Sequence, residues 1–191
     1  MSVTRERLLD STAEVLLDVG VQGLTLEAVA KQAGVSKGGL LYHFPNKQAL
    51  VDGLVERFVW QFDEAMANAG SEPGAATRAY VNACVGPQPE PAGASADRLT
   101  AALLAGMLVD PHGLDPLREH AERWQRRLEN DGIDPVLATT VRLAADGWWT
   151  ARLLGLAPPG PELHERTWRR LHNLVDGEVA ALASTTSAGG E

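Results

Sequence analysis

Apolar residues return at intervals of three and four along most of this chain, the period of an amphipathic helix rather than a strand. Leu8, Leu9, Thr12, Val15 and Leu16 mark a first helix over residues 5–19, with Gly20 placed to cap its end. Thr25 is placed to N-cap a short second helix over 26–32, and Ser36 a third over 37–44. Pro45 ends that helix, because the residue before a proline resists helical geometry. Leu50, Val51, Leu54, Phe58, Phe62, Ala65 and Met66 then form one stripe along a long helix over 47–69. A short helix is expected over 77–85, followed by the proline-rich loop "GPQPEPAGA". Leu99 to Val109 is apolar on nearly every side and reads as a central buried helix. Leu117, His120, Ala121, Trp124 and Leu128 give an amphipathic helix with a charged outer face. Two long helices, over 135–156 and 161–183, are separated by "APPGP", and "STTSAGGE" is expected to fray.

The pattern predicts an all-α protein of about nine helices. Residues 1–46 form a three-helix domain, 47–184 a second helical domain entered by the long helix, and 185–191 a disordered tail.

Composition agrees and narrows the function. The chain has 191 residues, 45% of them hydrophobic, with abundant Ala, Leu, Glu and Arg, so it can bury a real core in helices. One cysteine, Cys84, rules out an internal disulfide and a multi-cysteine zinc site. His112, His120, His164 and His172 show no metal-ligand spacing, and no metal or cofactor is expected. The start "MSVTRERLLDST" lacks the apolar core of a secretory signal, and "LTAALLAGMLV" is too short to span a bilayer, so a cytoplasmic location without membrane attachment is expected. Nucleophile elbow, phosphate loop and HExxH are all missing, which argues against an enzyme.

A net charge of −8 argues at first against nucleic acid, but the charge is unevenly spread. Residues 1–47 carry five basic groups (Arg5, Arg7, Lys31, Lys37, Lys47) and five acidic ones (Glu6, Asp10, Glu14, Asp18, Glu27). The remainder holds all of the excess negative charge, and all three lysines lie between positions 31 and 47. The N-terminal quarter is therefore the part able to approach a phosphate backbone.

Within it, two short helices joined at Gly34 make a helix-turn-helix, with Val29, Ala33, Val35, Leu40 and Phe44 as its small core. In such a module the second helix enters the DNA major groove with its N-terminal end toward the bases. Ser36, Lys37, Gly38 and Gly39 then face them, and Lys37 can donate to guanine O6 or N7 or to a phosphate. Two adjacent glycines cost about 1 kcal/mol each inside a helix. Either another surface comes very close here, or the first turn merely tolerates them. Thr25, Tyr42, His43 and Lys47 are placed for phosphate oxygens. Tyr42 can alternatively be a half-buried core aromatic, and His43 and Lys47 ordinary surface groups.

"LTLEAVAKQAGVSKGGLLYHFPNKQALV" resembles the DNA-binding signature of the tetracycline-repressor (TetR/AcrR) family, with matching positions over about residues 5–55. The resemblance implies an all-α homodimeric regulator of double-stranded operator DNA with a small-molecule pocket in its C-terminal domain. It also implies phosphate contacts at Thr25, Tyr42, His43 and Lys47, and base reading at Lys37, Gly38 and Gly39. Leu41 stands where many members carry a DNA-touching tyrosine, and Gly39 where threonine is common. Direct readout is thinner as a result, and DNA shape or the start of the second helix (Leu26, Glu27) has more to contribute.

Beyond residue 55 the resemblance is one of architecture. Leu137, Val141, Ala144, Trp148 and Ala151 form one stripe, and Trp168, Leu171, Val175, Val179 and Leu182 another. From these, Val141, Ala144, Trp148, Trp168, Leu171 and Val175 are the candidate dimer interface. The first of these helices carries a second stripe, Val136, Thr140, Leu143, Gly147 and Leu154, which either pairs with another copy or is buried by the same chain. All five tryptophans lie beyond position 59. Trp60, Phe62, Met66, Leu103, Met107, Trp124, Trp148 and Trp149 are candidate lining for an effector pocket, with plain core as the alternative. The expected function is a ligand-responsive transcriptional regulator, a repressor released from a palindromic operator by an unknown small molecule. The alternative is an all-α carrier or interaction dimer that does not bind DNA.

Overall fold

The computed structural model describes residues 3–86 and 115–188, and every regular element among them is a helix. In chain order these are α1 (Val3–Gly23), α2 (Leu26–Ala33), α3 (Lys37–His43), α4 (Lys47–Ala67), α5 (Ala75–Val85), α6 (Asp115–Glu129), α7 (Pro135–Leu154) and α8 (Pro161–Ala188). The helix expected over Leu99–Val109 lies outside the described residues.

Two ends differ from the sequence reading. Gly20 kinks α1 at φ 70, ψ 176 instead of ending it, and the helix resumes as far as Gly23. The last helix continues into the stretch expected to fray. There the Ser184 and Thr185 hydroxyls donate to the carbonyls of Ala180 and Ala181 at 2.9 and 3.0 Å, bonds that let such residues stay helical.

Described residues fall into two compact units: the first runs to Trp60 and also takes in Asp115–Leu117, and the second takes up the chain at Gln61 and again from Arg118. The division lies inside α4 and not before Lys47, because the first half of α4 supplies Leu50 and Leu54 to the N-terminal core. That core also buries Leu8, Leu9, Val15 and Leu16 of α1, Leu24, Val29, Ala30 and Ala33 around α2, and Leu40 and Phe44 around α3. Gly53 is what lets α4 lie so low on it. A Cβ at that position would sit 2.9 Å from Phe44 Cε1 and 3.0 Å from Leu9 Cδ2. At the rim, Arg57 pairs with Asp10 at 2.7 Å and Arg5 with Glu56 at 2.9 Å, while Arg7 donates to the carbonyl of Ala33 at 3.1 Å. The exposed ion pairs contribute little energy, but the last bond satisfies a carbonyl at the end of α2.

In the second unit α5 packs on α7 and α8. Tyr80, Val81, Cys84 and Val85 of α5 are buried with Ala138, Val141, Ala145 and Trp148 of α7 and Leu171 and Val175 of α8. Gly74, just before α5, has φ 75, and a Cβ there would collide with Val175 Cγ1. The N-terminus of α5 is held by a buried carboxylate from far along the chain. Asp131 accepts from the backbone N–H groups of Ala76 and Thr77 at 3.0 and 2.8 Å and from Thr77 Oγ1 at 2.7 Å. Asp63, near the end of α4, is tied to α6 by accepting from Trp124 Nε1 at 2.6 Å and lying 3.1 Å from His120 Nδ1. Burial pushes the Cys84 thiol up, so this cysteine is an unreactive part of the core.

Candidate nucleic-acid interface

The turn between α2 and α3 follows from Gly34. It adopts φ 65, ψ 32, a left-handed conformation that costs glycine nothing, and Val35 N–H then reaches the Ala30 carbonyl at 3.0 Å. Both helices begin on side-chain caps. Thr25 Oγ1 accepts from Ala28 N–H, and Ser36 Oγ from Gly39 N–H, each at 3.1 Å. Asn46 caps α4 in the same way, accepting from Ala49 N–H at 2.8 Å, and so fixes the turn on which Lys47 stands.

Along α3 the buried side is Leu40, with Phe44 just beyond the helix, and the rest faces out. Tyr42 is 85% exposed, so it is not a core aromatic; its ring meets His43 edge-on at 5.1 Å. His43 and Lys47 are half-buried, and Leu41 is exposed. Gly38 has open space where a Cβ would point, so packing inside the protein does not explain that glycine. Gly39 differs, because its Cβ would come 3.3 Å from the capping Ser36 Oγ.

Lys37, the first residue of α3, is paired across the turn with Glu27 in the first turn of α2, Nζ to Oε1 at 2.5 Å. The hydrogen bond from Lys37 holds the Glu27 carboxyl below its ordinary range, helped by a backbone bond and by the lysine's charge. Their pairing is not visible in the sequence, since they are ten positions apart and meet only when the turn closes.

Residues 74–176 match the family described as "Tetracyclin repressor-like, C-terminal domain", and residues 8–54 match "Bacterial regulatory proteins, tetR family". The chain belongs to the TetR family. Its members are DNA-binding transcriptional regulators, and the matched N-terminal segment contains the whole helix-turn-helix. Among curated relatives it is 28% identical over 83 residues to "HTH-type transcriptional regulator BetI 1" of Chromohalobacter salexigens, covering 44% of this chain and 41% of that one. It is 44% identical over 52 residues to the class C tetracycline repressor protein of Escherichia coli, covering 27% and 24%. These matches thus span less than half of the relatives' lengths. Over a wider extent the fold is that of a TetR-family regulator from Rhodococcus sp., with TM-score 0.69, 19% identity, and 93% and 100% of the two chains covered. It is likewise that of the multidrug binding protein EbrR solved with malachite green, with TM-score 0.63, 22% identity, and 91% and 99% covered.

For a TetR-family chain the other candidate residues lie as follows. Trp60 belongs to the first unit and is 52% exposed. In the second unit Phe62 stacks on Trp124 with centroids 4.4 Å apart, and Met66 is buried. Trp148 is buried with its ring 4.4 Å from that of His164, and Trp149 is half-buried. Leu103 and Met107 lie outside the described residues. An open cleft of about 560 Å³ is lined by Glu129, Asn130, Pro135, Val136, Thr139 and Thr140, none of them among the candidate pocket residues.

The candidate dimer residues are mostly occupied within the chain. Val141, Trp148, Leu171 and Val175 are buried in the second unit, and Trp168 donates to Asn82 Oδ1 at 3.0 Å, because α5 fills the space beside α7 and α8. Ala144 is exposed. Outside remain Val136 (70% exposed) and Leu143 (56%) of α7, from its second stripe, with Leu163 and Leu182 of α8. Among the described residues no helix is long and apolar enough to cross a membrane, and no cluster of metal-ligating side chains is found.

Proposed function

We propose that the protein is a repressor that binds a palindromic operator as a homodimer and releases it when a small molecule enters the second unit. The outward end of α3 carries this reading. Lys37, Gly38 and Gly39 stand free of the core there, beside an exposed Tyr42 and near Lys47 at the start of α4. Lys37 with the bare helix surface would read base edges, while Thr25, Tyr42, His43 and Lys47 would hold phosphates and set register. One seven-residue helix reads too few bases to select an operator, so a second copy reading a half-site one or more helical turns away supplies the rest. The apolar surface left on α7 and α8, around Val136, Leu143, Leu163 and Leu182, is the face offered to that copy.

For the effector, the support is the tryptophan-rich second unit and the EbrR likeness, since that protein was solved with a bound dye. Phe62, Met66 and Trp124 pack where Asp63 fixes the end of α4, and a ligand wedged among them would move the helix that starts at Lys47. A coupling of about 1–3 kcal/mol is enough for a useful switch.

The test is a titration of the full chain with random-sequence duplex at two salt concentrations, followed by selection from a random pool and sedimentation of the complex. Salt-dependent binding, a selected inverted repeat and a dimer per site are expected. A monomer with no salt-dependent grip on any duplex overturns the proposal and leaves the carrier reading in its place.

A further inference from the structure

We propose that Glu27 decides which sequences the protein accepts, by holding Lys37 in an ion pair that a matching G·C base pair must replace. This rests on the operator-binding reading above and adds a specificity-determining residue to it. Three observations lead here. The pair is closed at 2.5 Å between two largely exposed side chains, one of them on the first residue of α3. No core residue depends on it, since Glu27 and Lys37 are both exposed and neither belongs to the buried cluster. The segment up to Lys47 carries no net charge, so one carboxylate among its few cations changes its attraction for DNA substantially.

An exposed ion pair of this kind adds little to stability, so its position has to be explained by what it meets. Facing DNA, an isolated glutamate is a liability, because it repels phosphates and finds donors at few base edges. Beside a lysine it becomes half of a reading head. Guanine O6 and N7 accept from an ammonium, and the N4 amino group of cytosine donates to a carboxylate. A G·C pair, or a guanine next to a cytosine, can therefore satisfy both partners at once as they separate. An A·T pair offers the carboxylate the adenine N6 amino group, but it gives the lysine single acceptors at adenine N7 or thymine O4 in place of guanine's adjacent O6 and N7, so it replaces the ion pair less completely. Glu27 thus lowers affinity for random DNA more than for the operator, and the contrast between them grows. An acidic residue in the first turn of α2 is also favourable for the helix itself, but that effect does not require Lys37 to be near.

The experiment compares the full-length wild type with Glu27→Gln, Lys37→Ala and the double variant, on the operator selected by the wild type and on random duplex. Glu27→Gln is expected to bind random duplex about five- to tenfold more tightly near 0.1 M salt, with a log–log salt slope steeper by about 0.9. Its operator-to-random ratio should fall about tenfold or more, and sequences selected by it should lose a G·C preference at one position in each half-site. In the Lys37→Ala background the same substitution should leave the ratio nearly unchanged. Glu27→Gln overturns the inference if it keeps the wild-type ratio and base preferences, or if it weakens operator and random duplex equally. Thermal melts of each variant separate a folding defect from either result. Absence of duplex binding by the wild type would instead remove the operator-binding reading on which the inference stands.

Discussion

Replacing Gly38 by alanine separates what the fold needs from what the DNA-facing surface needs. Gly38 lies in the first turn of α3, its φ is not in the left-handed region, and a Cβ built on it meets nothing within 4 Å. Alanine can adopt that conformation without strain, so the substitution should stabilise the protein by about 0.4–1 kcal/mol through the lower entropy of the unfolded chain. For a chain of this size that is a rise in Tm of about 1–4 °C. The same methyl projects from the surface proposed to enter the major groove. If the groove wall comes as close as the glycine permits, forcing a methyl into that contact costs about 1–3 kcal/mol, or roughly five- to 150-fold in operator affinity. A thermal melt of Gly38→Ala and a fluorescence-anisotropy titration of the selected operator give both numbers. Greater stability with weaker binding is expected. A lower Tm would show that the conformational argument fails, and unchanged operator affinity would show that Gly38 does not face DNA at close range. Gly39→Ala is the built-in contrast, because its Cβ would crowd Ser36 Oγ at 3.3 Å and should bring no gain in stability.

Three further outcomes are expected. Lys47→Ala should weaken binding to all duplexes about equally and reduce the salt slope by about one, whereas an unchanged slope would exclude Lys47 as a phosphate contact. Asp131→Ala should destabilise the second unit by about 2–4 kcal/mol in denaturant unfolding, because two backbone N–H groups and the Thr77 hydroxyl lose their buried acceptor; a loss below about 0.5 kcal/mol would mean that water replaces the carboxylate freely. Stability should also fall as pH drops below about 6.5, since burial lowers the folded-state pKa of His164 and His172, with Arg152 and Arg78 respectively adding to the effect and Glu165 and Asp176 opposing it. Unfolded histidine then takes up protons that the folded protein resists, and His172→Gln should flatten the Tm profile between pH 7.5 and 5.5. Asp146, raised mainly by burial and held back by Tyr80 and Arg142, acts in the opposite sense.

Much of the first unit could be read from local chemistry. Thr25 and Ser36 cap the helices they precede, Gly34 takes the left-handed turn, and Phe44 closes α3 before Pro45. Each of these depends on a residue and its immediate neighbours, so the chain order already contains it. The exposed positions of α3 follow from the same periodicity, once Leu40 and Phe44 are assigned to the core. Less was legible in the second unit. Its stripes identify apolar faces but not their partners: Val141, Leu171 and Val175 suit an interface between copies as well as a core, and here they are buried in a unit where α5 packs on both long helices. Gly20 carried a correct signal for a conformational break but not for the helix resuming after it.

The order of residues by itself determined that the chain is helical, where its short helices begin and end, and that its lysines gather around α3. These are consequences of backbone preference and side-chain period within a few positions. Tertiary structure alone decided that Asp131 caps a helix 55 positions away, that Asp63 binds Trp124, and that Lys37 is met by Glu27. Ion pairs and buried hydrogen bonds act over about 3 Å through space and are indifferent to chain separation, so no local pattern announces them. The same holds for which apolar face stays uncovered, because that depends on the path of every other helix.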